Sequence, residues 1–90
     1  MAYADSTTEL PCAGLTANAD GETLYQMGLI YATGQGVKED SVTAHKWFNL
    51  AALRGHEAAK ICRMEMADQL SKDELSEALK QARAWLRLMN

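Results

Sequence analysis

Ninety residues, 48% hydrophobic and 23% charged with a single proline, make one small helical domain rather than a large enzyme core, a disordered chain or a membrane-spanning one. The formal charge of −3 is unevenly placed: Asp5, Glu9 and Asp20 precede any Lys or Arg, and the acids and bases of the remaining chain cancel. A neutral helical part argues against nucleic-acid binding, which relies on an excess of Lys and Arg facing phosphate.

Residues 1–19, opening with MAYADSTTELPCAGL, have no helical periodicity and hold Ser6, Thr7, Thr8, Pro11 and Gly14, so a flexible or extended arm is expected there. The stretch lacks the basic leader and apolar run of a signal peptide. Cys12 and Cys62 lie far apart with no Cys-x-x-Cys spacing, which predicts neither a zinc site nor a disulfide framework. Two ordinary thiols fit a reducing compartment, and a cytoplasmic location is expected.

Four helices are predicted over residues 20–90. In DGETLYQMGLIYATG, Leu24, Met27, Gly28 and Tyr31 recur at three-and-four spacing between a capping Asp20 and a terminating Gly34. In SVTAHKWFNLAALRG, one face carries Ala44, Trp47, Phe48, Ala51 and Ala52, with Asp40 or Ser41 at the start and Gly55 at the end. HEAAKICRMEMADQL predicts a third helix facing its neighbours through Ala58, Ile61, Cys62 and Met66. SKDELSEALKQARAWLRLMN is the most periodic, with Leu75, Ala78, Leu79, Ala82, Trp85, Leu86 and Met89 on one face and Ser71 and Glu74 at capping-box spacing. Gly28 in mid-helix predicts a close approach by another helix, matched by the flat surface of Ala51 and Ala52.

The turn GQGVKED raises the question of a phosphate loop. A dinucleotide loop needs a preceding strand, and a Walker loop needs Lys then Ser or Thr after its last glycine; this one follows a helix and runs into two acids. A hairpin turn is the reading that fits: the glycines take positive φ, Val37 tucks into the hairpin, and Glu39 and Asp40 favour the positive end of the next helix.

The pattern also repeats. An offset of 34 lays the first helix over the third, pairing Gly28 with Cys62, and an offset of 38 lays the second over the fourth, pairing Ala44, Trp47 and Phe48 with Ala82, Trp85 and Leu86. The chain thus reads as all-α: antiparallel helical hairpins, a full unit over 20–55 and a degenerate, capping unit over 56–90. The stretch LYQMGLIYATGQGVKEDSVTAHKWFNLAALRG resembles a unit of the Sel-one-like repeat family, tetratricopeptide-like hairpins that stack into short α-solenoids. The residues at the family's spacing are Leu24, Gly28, Tyr31, Gly34, Gly36, Val37, Asp40, Ala44, Trp47, Ala51, Ala52 and Gly55. That resemblance implies an adaptor or regulator in bacterial signalling, envelope processes or protein quality control. Cysteine-rich relatives bridge each hairpin with a cysteine pair, a pattern Cys12 and Cys62 do not reproduce.

Catalysis is not expected, because no Ser, Thr or Cys has a predictable His beside it and a second domain to form a cleft is absent. His45 and His56 lack an i, i+4 partner and read as solvated or helix-end residues rather than metal ligands. Met27, Met64 and Met66 read as gap fillers between helices, and Lys80, Arg83 and Arg87 as a solvated stripe after Asp73, Glu74 and Glu77. Neither a cofactor nor an enclosed small-molecule pocket is predicted.

What remains is recognition of a protein or peptide. Facing away from the packing stripe of the first helix are Glu22, Gln26, Leu29 and Thr33, and the offset of 34 carries this row to Lys60, Arg63 and Ala67. With an exposed Tyr25, the two rows are expected to lie side by side as a partner-binding surface. The alternative is assembly: so few hairpins leave an apolar edge, around Leu86, Leu88 and Met89 or along the open side of the first helix, for the acidic arm, a second copy or another protein to cover.

Overall fold

The computed structural model describes residues 19–89, so the expected arm lies, except for Ala19, outside the described residues. Four helices follow one another: α1 (Gly21–Thr33), α2 (Ser41–Leu53), α3 (Glu57–Gln69) and α4 (Lys72–Met89). There is no strand among the described residues. The principal packing is of α1, α3 and α4 each against α2, which makes α2 the axis of the domain.

The starts and stops are local chemistry. Asp20 accepts the Thr23 amide at 2.8 Å and Asp40 accepts the Thr43 amide at 3.1 Å, so each carboxylate satisfies an amide that the first turn leaves unpaired. Asp40, and not Ser41, is the cap of α2. Ser71 and Glu74 form the reciprocal capping box, at 3.1 Å and 2.8 Å. Gly34 ends α1 at φ 74° and Gly36 turns at φ 78°, a region that side chains avoid, and the Asp40 amide then returns to the Tyr31 carbonyl at 3.0 Å. The glycine loop is therefore a hairpin turn. Between it and the start of α4 lies an open pocket of about 400 Å³ lined by Lys38, Glu39, Asp40, Ser41, Val42 and Glu74. Three carboxylates against one ammonium make it unsuited to phosphate.

Because α2 is flanked by three helices, it buries Ala44, His45, Trp47, Phe48, Leu50, Ala51 and Ala52, seven of its 13 residues. Leu24 and Met27 of α1, Ala59 of α3 and Ala82 and Trp85 of α4 close on Trp47, Leu50 and Ala51. Taking Trp47, Phe48, Leu24 and Leu50 out of water contributes about 1.5–3 kcal/mol each. Trp47 and Trp85 meet edge to face, with centroids 5.6 Å apart and planes at 78°, the geometry that brings a positive ring edge to a negative ring face.

The close approach expected at Gly28 is present, though its partner is different. A Cβ there would stand 2.4 Å from Cδ1 and Cε1 of Phe48, so the ring of α2, rather than Ala51 and Ala52, fills the notch. Ala51 instead lies near Gly21 at the start of α1.

Three expectations fail, two of them for one reason. His45 is buried at 2% exposure rather than solvated, because α3 covers the side of α2 that the two-helix periodicity leaves open. Ala58 and Ile61 are exposed and Ala59 is the buried residue of α3. Met64, read as a gap filler, is 62% exposed. The last two share a cause: the offset of 34 pairs Leu24 with Ala58, whereas α3 turns Ala59 to the core. One residue of register is about 100° of helix rotation, enough to move a whole face.

Candidate functional site

Gly21, lacking a side chain, allows the start of α1 to sit against the α2–α3 turn, where an added Cβ would be 3.1 Å from the Cβ of His56. This brings Glu22 to His56, and its Oε1 lies 2.8 Å from the imidazole Nε2. His56 is the N-cap of α3, and its Nδ1 accepts the Ala59 amide at 3.1 Å. That nitrogen must therefore be unprotonated, the ring proton sits on Nε2, and His56 donates to Glu22. Gln26 also donates to Glu22, at 2.7 Å on Oε2. The Gln26 amide first, and His56 next, hold the Glu22 carboxyl below the usual carboxylate range.

Tyr25 stands between two rings. It stacks on His56 with centroids 4.4 Å apart and leans on Phe48 at 5.9 Å. Desolvation first, and the Cys62 thiol of α3 second, push its phenol pKa up. Farther along α1, the Thr33 hydroxyl donates to the Leu29 carbonyl and accepts from Gln35, both at 2.7 Å. Glu22, Gln26 and Thr33 are exposed, whereas Tyr25 and Leu29, expected to be exposed, are half-buried.

The corresponding residues of α3 are placed differently. Lys60 is half-buried and pairs with Glu57 at 3.1 Å. Arg63 turns toward α2 and donates to Asn49 at 3.0 Å, next to His45, whose buried Nδ1 has no hydrogen-bond partner among the described residues. Burial first, and the Arg63 charge second, hold the His45 pKa down. Glu22 and Tyr25 are thus brought to the start of α3, while Arg63 belongs to a polar contact between α2 and α3. The tie that sequence reasoning missed is His56. Its place after Gly55 at a helix start was visible, but an imidazole acting at once as a cap and as a bridge to another helix requires the two helix ends to meet.

No cluster of three His, Cys, Asp or Glu side chains that could hold a metal occurs among the described residues. Nor is any helix among them long and apolar enough to cross a membrane. Paired helices joined by a glycine turn, with a third helix stacked through its N-cap, define a helical-repeat scaffold, a class built to present helix surfaces. Residues 21–56 match the Sel1 repeat family. The match spans the hairpin of α1 and α2, which is similar to a Sel1 repeat. Sel1 repeats are in general non-catalytic modules that bind protein partners. No curated protein and no solved structure matches the chain.

Proposed function

We propose that this protein is an adaptor that binds a partner polypeptide along the free face of α1, through Glu22, Tyr25, Gln26, Leu29 and Thr33, with Lys60 and Arg63 at its α3 edge. The observation that supports this is the state of Tyr25 and Leu29. Both are large, half-buried side chains on a helix whose other face buries Leu24, Met27 and Gly28, and Tyr25 is clamped between Phe48 and His56. A side chain ordered before binding loses little entropy on contact, which is why such anchors dominate interfaces. Around them Glu22 and Gln26 are already mutually oriented, so the polar rim is also set in advance.

The test uses affinity capture from the native host, with binding of the identified protein then measured for each variant. Gln26→Lys combined with Leu29→Ala is expected to weaken binding about tenfold or more with the thermal midpoint nearly unchanged. Arg63→Ala, by contrast, is expected to lower stability as well, because it removes the Asn49 contact beside buried His45. Binding that is indifferent to the α1 substitutions would remove this face as the site.

A further inference from the structure

The outer face of α3 carries a stripe that packs against no other helix. Glu57, Ile61, Met64, Glu65 and Asp68 recur at helical spacing and are all exposed, with Ile61 at 57% and Met64 at 62%. The end of a helical array in contact with water needs a polar outer face, and an apolar pair at the centre of this one makes it a poor cap. The acids are also poorly placed for the helix itself. Asp68 stands in the last turn of α3, where no base accompanies it, and a negative charge there opposes the helix dipole. Among the described residues neither Glu65 nor Asp68 is in an ion pair.

The complement lies on α4. Lys80, Arg83 and Arg87 form an exposed basic stripe, free of ion pairs among the described residues, with Leu88 beside it at 80% exposure. Within one chain the two stripes do not pair: α3 and α4 each pack chiefly on α2, and no ion pair joins them among the described residues. We propose that they meet between chains: the Ile61–Met64 face of α3, flanked by Glu57, Glu65 and Asp68, docks the Lys80–Arg83–Arg87 stripe and Leu88 of α4 from a second copy. Apolar contact at the centre excludes water, and opposite charges at the rim fix the pairing. The contact leaves the free face of α1 open and borders the proposed partner surface only at Lys60, which pairs with Glu57.

Sedimentation equilibrium of the full chain over a range of concentrations at low salt tests this, with circular dichroism to verify that each variant is folded. The wild type is expected to self-associate, more weakly as salt rises. Glu65→Lys with Asp68→Lys, and separately Arg83→Glu with Arg87→Glu, are each expected to weaken association about tenfold or more. An equimolar mixture of the two double variants is expected to restore it, since each then meets the opposite charge. Ile61→Ser with Met64→Ser removes the apolar centre at exposed positions and is expected to yield a folded monomer. A wild-type monomer at every concentration would overturn the proposal and leave the face to residues 1–18 or to another protein. Association that survives both charge reversals, or a mixture that fails to recover, would also overturn it.

Discussion

The two halves of this chain share a sequence pattern and differ in how tightly they close. In α1 and α2 a glycine faces a phenylalanine: the Phe48 ring fills the notch at Gly28, both helices are capped by aspartates, and two left-handed glycines set the return. In the second unit the residues at the matching offsets are Cys62 and Leu86, both half-buried, and neither reproduces the notch nor the ring. Consequently α3 and α4 each pack on α2 rather than chiefly on each other, and α3 fully buries Ala59 alone. A repeat persists as a pattern of apolar positions after its close contact has gone. What is lost is the depth to which the helices sink into one another, and the side chains this leaves outside become surface.

That contrast can be broken most directly at the tryptophans. Trp47→Ala is expected to lose about 3–5 kcal/mol, because Trp47 is 1% exposed, belongs to the core cluster and meets Trp85 edge to face. Trp85→Ala, at the 8% exposed outer layer, is expected to lose less. Urea unfolding of both variants gives the comparison, and equal losses would mean that the two units share one core without a tight and a loose half. The glycine notch is the next lever. Gly28→Ala improves helix propensity yet forces the buried Phe48 ring to move, and a net loss of about 1–3 kcal/mol is expected. A gain in stability would show that the interface is looser than the 2.4 Å clearance implies.

The smallest effect concerns the contact between α2 and α3. His45 is held neutral by burial and by Arg63, so its folded pKa lies below the ordinary histidine value of 6.5. The unfolded chain therefore binds the proton first. Stability falls as pH drops below about 6.5 and stops falling below the folded pKa. His45→Leu is expected to flatten that slope in urea midpoints measured across pH 5–8, and an unchanged slope would assign the dependence to other groups.

Much of the fold is legible in the residue order because it rests on short-range rules. Asp20, Asp40 and the Ser71–Glu74 box act within one turn, and Gly34 and Gly36 act on their own φ. The faces of α1, α2 and α4 are fixed by large apolar residues, which leave one rotation that buries them: Leu24 with Met27, Trp47 with Phe48, Ala82 with Trp85. In α3 this guidance fails. Apart from Ile61 its apolar residues are small or unbranched, and they are spread around the helix, so facing inward through Ala58 or through Ala59 fits the periodicity equally well.

Only the assembled helices decided the rest. The rotation of α3 came from the joint at Gly21, Glu22 and His56, a contact between residues 34 apart, and from the burial of Ala59 against α2. That rotation buried His45, drew Arg63 to Asn49 and turned Ile61 and Met64 outward. The sequence by itself determined where each helix begins and ends and which helices carry the core, since those depend on neighbours in the chain. Which surface α3 offers to a partner depends on neighbours in space, and a rotation of one residue was enough to change it.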